Sequence, residues 1–324
     1  MISINGKKIE MTRFPDGTRG MFDFSLYNYI DADDYNPFFT YNIFWKYESD
    51  EEYIELWYIV NHLRESDRTI RFIRLFVPYF PNARMDRVKS EDEVFTLKYF
   101  SNFINTLNFD GVYVLDPHSD VMMGTINNVH RLSVDQYIRE AIDSIYSKEL
   151  HYEYKKKDFV IYFPDAGAMK RYKDLDVLKE YEKIYGNKIR NWETGKIEEL
   201  EILDKNGKLI EKGYGLDVET AGLDSTSNAY SVEILPLKGK VVLMIDDIIS
   251  YGGTLAYSAV KLRELGASHI YAYASHVENS IDDEEKGTLL KILKKDIVKK
   301  IYTTDSLYNG SNKKIVQFNI LSYV

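Results

Sequence analysis

The chain has no cysteine among its 324 residues, which excludes disulfides and thiolate metal sites and makes a reducing cytoplasm its natural compartment. Prolines number only seven, and no Pro- or Gly-rich linker divides the chain, so the domains it forms are expected to meet closely. Long apolar runs are missing too, and none reaches the length a bilayer-spanning helix needs. The opening MISINGKKIEMTRF lacks the basic, apolar and small-residue order of a signal peptide. Positive charge is scarce: 42 Lys and Arg face 51 Asp and Glu, a net charge of −9. That balance argues against nucleic acid as a partner and leaves a nucleotide substrate open, because a few local cations suffice for one.

What is present reads as globular: 44% hydrophobic and 29% charged residues, in a length that accommodates two domains. The 27 tyrosines are read as amphipathic core and interface filler. Short β-rich runs alternate with helical stretches. TIRFIRLFVPYF (69–80) and GVYVLDPH (111–118) predict strands. Between them, 91–108 places Val94, Leu97, Phe100, Ile104 and Leu107 at helical spacing. Ser49 with Glu52, and Ser133 with Gln136, have the spacing of capping boxes ahead of two more helices. In the second half DFVIYFPDAG (158–167), KVVLMIDD (240–247) and HIYAYASH (269–276) hardly alternate, as parallel strands buried on both faces do. The pattern predicts an α/β protein with parallel sheets covered on both faces and ligands at the strands' carboxyl ends. A boundary near residue 136 gives domains 1–136 and 137–324. Residues 191–237 break the rhythm. Asn206-Gly207 between ELEILDK and KLIEKGY predicts a β-hairpin arm inserted between core strands, followed by a polar loop.

The stretch VVLMIDDIISYGGT (241–254) carries the most chemistry. A buried strand ends in Asp246 and Asp247, and a turn holding Ser250, Tyr251, Gly252, Gly253 and Thr254 leads into a helix. Backbone N–H groups at such a helix start suit a phosphate, and glycines let the backbone approach it. The two carboxylates can take hydrogen bonds from a sugar's 2- and 3-hydroxyls, directly or through Mg²⁺. A ribose phosphate meets both demands. The bland reading of the acids, a strand-end pair capping the next helix, accounts for neither the spacing nor the glycines.

This stretch resembles the ribose-phosphate loop of type I phosphoribosyltransferases and of ribose-phosphate pyrophosphokinases (PRPP synthetases). VPYFPNARMDR (77–87), VLDPHSD (114–120), FPDAGAMKR (163–171), NKIRN (187–191) and RFPDGT (13–18) resemble, in family order, further segments of the synthetases. The resemblance implies two phosphoribosyltransferase-like (Rossmann-like) domains, the first on the ATP side and the second carrying the ribose-phosphate loop. It also implies a reaction in which the sugar's anomeric hydroxyl attacks the β-phosphorus of ATP and AMP leaves. It assigns Lys188 and Arg190 to catalysis. Phe14, Asp16, Arg84, Asp86 and His118 go to ATP, with Phe14 on adenine. His118 and Asp165 go to Mg²⁺, and 246–254 to the acceptor. A homo-oligomer, dimer or higher, is implied as well.

Four features depart from the family pattern. Ser250 and Tyr251 stand where the family usually carries Asp-Thr, so a ring replaces a small hydroxyl beside the 5-phosphate. The insert at 191–237 is longer than the family's mobile catalytic loop, and Thr18 stands where a Glu is usual. The first strand and helix of the usual N-terminal domain and the usual C-terminal helix are not recognised, which suggests an assembly different from the family's hexamer. The first two departures favour ADP-ribose over ribose 5-phosphate as acceptor, since its 5-phosphate continues into a group that Tyr251 can pack against. Its 1-diphosphate would then accept nicotinamide, a link to NAD salvage. Two other readings stay open: a phosphoribosyltransferase that consumes PRPP, and a catalytically silent paralogue that regulates a synthetase.

Overall fold

The computed structural model describes residues 1–20, 39–66, 70–88, 90–190, 197–204, 206–214 and 236–320. The chain divides into two compact units, Met1–Ser133 and Val134–Val324.

The first unit contains β1 (Ile2–Ile4), β2 (Lys7–Lys8), β3 (Thr12–Arg13), β4 (Arg19–Gly20), β5 (Phe39–Trp45), α1 (Glu51–Ser66) and β6 (Ile70–Phe76). It continues with α2 (Thr96–Thr106), β7 (Gly111–Leu115), α3 (Asp120–Thr125) and β8 (Val129–Leu132). Its main sheet has the order β2-β1-β5-β6-β7-β8, parallel from β5 to β8. Alternate strand residues Ile43, Ile73, Leu75, Val112 and Val114 pack with Leu56, Ile59, Val60 and Leu63 of α1 and Leu97, Phe100 and Ile104 of α2. Three successive strands added in one direction by right-handed crossovers bring their helices to one face. All three described helices of this unit contribute to that single cluster. Val94, predicted on the α2 stripe, precedes that helix and is exposed. At the start of α1 the Glu52 carboxylate accepts the N–H groups of Glu48 at 2.8 Å and Ser49 at 3.5 Å, the acidic half of the predicted box.

The second unit contains α4 (Asp135–Ser144), β9 (Phe159–Phe163), α5 (Ala166–Tyr172), β10 (Glu182–Arg190), β11 (Ile197–Asp204), β12 (Leu209–Tyr214) and β13 (Val241–Ile249). After these come α6 (Gly253–Glu264), β14 (His269–Val277), α7 (Thr288–Lys294), β15 (Ile301–Thr304) and β16 (Ile315–Phe318). α4 starts after Val134, one residue later than the predicted box at Ser133 requires, and Val134 itself offers no side-chain cap. The sheet order is β12-β11-β10-β9-β13-β14-β15-β16, parallel from β10 to β16. Both faces are covered: α6 and α7 pack in one cluster with Val160, Met244 and Ala272, while α4 lies against β14 and β15 and α5 against β9 and β13. Continuous apolar runs are what two-sided burial demands, and β9 and residues 241–245 of β13 are buried throughout.

The hairpin expected at Asn206-Gly207 is present. β11 pairs antiparallel with β10 and β12, and Gly207 takes φ +81°. Asp204 holds the turn, its carboxylate accepting the N–H groups of Asn206 and Lys208 at 2.8 Å each. The polar loop predicted after the hairpin, at 215–235, lies outside the described residues.

One consequence of the strand order positions the chemistry. β10 lies on one side of β9, and the chain then returns to place β13 on the other side. The winding direction therefore reverses at β9, and the crevice beyond the carboxyl ends of β9 and β13 is a topological switch point, where open α/β sheets bind ligands.

Candidate functional site

At that switch point β9 delivers Asp165 and β13 delivers Asp246 and Asp247. Asp165 is the N-cap of α5, its carboxylate accepting the N–H of Ala168 at 2.9 Å. Asp246 accepts the backbone N–H of Asp247 at 3.0 Å. Its carboxyl is held well above the usual aspartate range, first by desolvation, then by the charges of Asp247 and Asp165. Those causes place the three acids in one electrostatic neighbourhood. Asp247, 6% exposed, faces Arg171, with Nη1 at 3.1 Å from Oδ2. Arg171 stands in the last turn of α5, its guanidinium carbon 5.6 Å from the centre of the Tyr172 ring. Sequence reasoning missed Arg171. The signal was a cation closing the quoted FPDAGAMKR, which looks like any other cation in a lysine-rich chain until the fold brings it to Asp247.

The glycine turn follows directly. Gly252 is the N-cap of α6 in the left-handed region, at φ 71° and ψ 22°, and no side chain caps that helix. A Cβ on Gly252 would sit 2.4 Å from the Cβ of Leu289. The position requires glycine for its backbone angle and again for the close approach of α7. The N–H of Leu289 donates to the carbonyl of Tyr251 at 3.0 Å, tying α7 to the turn. With Gly253 and Thr254 opening α6, first-turn N–H groups are presented beside the acid pair, the arrangement that receives a phosphate. Ser250 lies just before the turn, and the Tyr251 ring is 40% exposed. A buried bond from the Tyr162 hydroxyl to Ser258 Oγ, 2.8 Å, joins β9 to α6 beneath the site.

The backbone of β10 continues past the end of β9. Tyr185 is in register with Phe163, and the residues beyond, including Lys188 and Arg190, pair only with β11. His276, at the end of β14, is 3% exposed and shares a 2.8 Å hydrogen bond with Ser306, as a satisfied core histidine does.

In the first unit Arg84, Asp86 and His118, of the predicted ATP-side residues, follow the carboxyl ends of β6 and β7. Asp86, 6% exposed, takes a two-pronged bond from Arg87, Nε at 2.8 Å and Nη2 at 3.2 Å. That bond, with the nearby His118, draws the Asp86 carboxyl below its usual range against the cost of burial. The segments 83–86 and 116–118 thus meet at Asp86. Arg84 is on the surface. Arg87, a second residue the sequence reading passed over, is the partner of Asp86. Phe14 and Asp16 sit in the turn between β3 and β4. The Phe14 ring folds over Gly20, where a Cβ would come within 2.5 Å of it, and Asp16 accepts the N–H and hydroxyl of Thr18 at 3.0 and 2.7 Å. Ion pairs of Arg13 and Arg19 with Glu51, and of Arg19 with Glu55, fasten this turn to α1.

Among the described residues no group of three or more His, Asp or Glu side chains forms a metal cage. Mg²⁺ keeps several waters and is commonly held by one or two carboxylates together with substrate phosphates.

No family model matches the chain. Among curated proteins it is 26% identical over 273 residues to the ribose-phosphate pyrophosphokinase of Fusobacterium nucleatum, covering 84% of this chain and 72% of that protein. To the ribose-phosphate pyrophosphokinase of Thermococcus kodakarensis it is 26% identical over 274 residues, covering 83% and 77%. The structure superposes on phosphoribosylpyrophosphate synthetase from Mycobacterium smegmatis with a TM-score of 0.57 at 17% identity, over 84% of this chain and 75% of that one. The expected fold class, α/β with two mostly parallel sheets, is borne out, and the chain is a distant homologue of the ribose-phosphate pyrophosphokinases over most of its length.

Proposed function

We propose that the protein is an ATP-dependent diphosphotransferase acting on the anomeric hydroxyl of a ribose 5-phosphate-type sugar, with ADP-ribose the favoured acceptor. The observation that carries this reading is the coincidence, at the switch point of the second sheet, of Asp246 and Asp247 with the Gly252 turn that opens α6. The acids take the ribose 2- and 3-hydroxyls, and Ser250 to Thr254 take the 5-phosphate. Tyr251, exposed on that turn, supplies a ring surface for whatever extends beyond the phosphate. In the reaction the anomeric oxygen bonds to the β-phosphorus of ATP, the bond from the β-phosphorus to the oxygen of AMP breaks, and the hydroxyl proton is lost to solvent. Lys188 and Arg190, on the strand that overruns β9, would neutralise charge on the group in transit. Arg84 and Asp86 would position the ATP phosphates, and Phe14 and Asp16 the adenine side. The resemblance assigns Mg²⁺ to Asp165 in the second unit and to His118 in the first, and Mg²⁺ when bound would neutralise phosphate charge. The ADP-ribose 1-diphosphate formed would suit condensation with nicotinamide. The working form is a cytoplasmic homo-oligomer, dimer or higher.

The test is an acceptor screen with ATP and Mg²⁺ in which AMP and the diphosphorylated product are followed by mass. AMP release with ADP-ribose is expected, and Lys188→Ala should lower turnover by roughly 10²–10³-fold, the scale of losing one transition-state charge partner. Turnover with ribose 5-phosphate alone would overturn the choice of acceptor. No AMP release with any sugar phosphate would overturn the enzyme reading.

A further inference from the structure

Two adjacent acids at the end of β13 are held by different means. Asp246 is fixed by its own strand, through the N–H of Asp247. Asp247 faces a cation from another element, Arg171 of α5. Both members of that pair are largely removed from solvent, with 19% of the Arg171 side chain and 8% of the Asp247 side chain exposed. Arg171 is itself oriented from below. Its neighbour Tyr172 is 1% exposed and its ring stacks on Phe163 at 6.4 Å, so the turn of α5 that carries Arg171 is set by the core. The first residue of that same short helix is capped by Asp165. One rigid element therefore sets both Asp165, at its start, and the partner of Asp247, at its end.

We propose that Arg171 is a positioning residue of the acceptor site: its guanidinium holds the Asp247 carboxylate in the orientation that receives a ribose hydroxyl. The inference rests on the reading of Asp247 as a sugar ligand. Arg171 acts through Asp247 and its contact is with the protein. The contact is an ion pair at 3.1 Å rather than an aligned hydrogen bond, so the hold on the carboxylate is by charge, delivered from the core-anchored end of α5 at a point that the differently shaped lysine side chain would not reproduce. Acceptor affinity should accordingly depend on Arg171 while ATP affinity should not.

Calorimetric titration of the full-length protein with ADP-ribose, with ribose 5-phosphate and, separately, with ATP and Mg²⁺ tests this. Arg171→Gln is expected to weaken the sugar phosphate that the wild type binds by at least tenfold and to leave ATP binding within about twofold. Arg171→Lys should recover only part of the loss. Arg171→Gln combined with Asp247→Asn removes both charges together, which keeps folding separable from binding, and should bind the sugar no worse than Asp247→Asn alone. Unchanged sugar affinity in Arg171→Gln overturns the proposal, as does an equal loss of sugar and ATP binding in a folded variant. Additive losses in the double variant overturn it too. If the wild type binds neither sugar phosphate, the acceptor reading itself fails, a result distinct from a wild type that binds and a variant that binds equally well.

Discussion

Asp246 and Asp86 are both shielded acids at strand ends, and their surroundings push them in opposite directions. Asp86 is drawn down by Arg87, so its charged form stabilises the fold above the ordinary aspartate range and that contribution is lost as pH falls through its lowered value. Asp246 is raised by desolvation, Asp247 and Asp165. Its protonated form favours the fold at low pH, and this contribution is lost as pH rises through the raised value, so the cost of burying this acid grows with pH. Asp246→Asn, which keeps an oxygen to accept the Asp247 N–H, should raise the Tm at pH 7.5 by roughly 2–4 °C, the shift of about 1 kcal/mol in a domain of this size. The gain should shrink at pH 5, while sugar binding is lost. Thermal melts at the two pH values check this, and a Tm lowered at both would refute it. The paired acids were legible in the sequence from their place before a glycine turn. Their unequal electrostatics were not, because those depend on Asp165 and Arg171, which the chain brings in from another strand and helix.

At the scale of elements, the glycine turn between β13 and α6 is locked by α7. Gly252→Ala would have to hold φ +71°, a strain of about 1–2 kcal/mol, and its Cβ would lie 2.4 Å from Leu289 Cβ. The expected result is destabilisation of about 2 kcal/mol or more, together with loss of sugar-phosphate binding. Adding Leu289→Ala should not rescue it, since that change removes the atoms at 2.9 and 3.2 Å but leaves the closest contact in place. Denaturant midpoints of the single and double variants decide the matter; full rescue would show that the clash is with the tip of Leu289. The glycines announced a turn, as glycines do. That α7 would close on it had no local signature, because Leu289 belongs to a helix whose sequence asks only for an apolar face.

For the whole molecule, the acceptor-side residues Asp165, Arg171, Asp246, Asp247 and the 250–254 turn all fall in Val134–Val324, and Arg84, Asp86 and His118 fall in Met1–Ser133. Each unit has its own core, so 134–324 expressed alone should bind the sugar phosphate the full chain binds, within about threefold, and release no AMP from ATP. Titration and a turnover assay on that fragment test the division of labour; a fragment that folds but does not bind would move part of the acceptor site elsewhere. The sequence by itself determined β6, β7, β9, β13 and β14, the hairpin at Asn206-Gly207 and the strand–acid–glycine–helix segment. These are set by side-chain period and by backbone angles within a few residues. It did not determine the exact helix starts at 96 and 135, which fall later than the helical spacing from 91 and the box at Ser133 imply. The tertiary structure alone decided that β13 lies beside β9 at a reversal of winding, that Arg171 meets Asp247 and that Leu289 fills the space at Gly252. Those are pairings between distant segments, selected by which strands and helices bury most apolar surface together, and no local pattern records that choice.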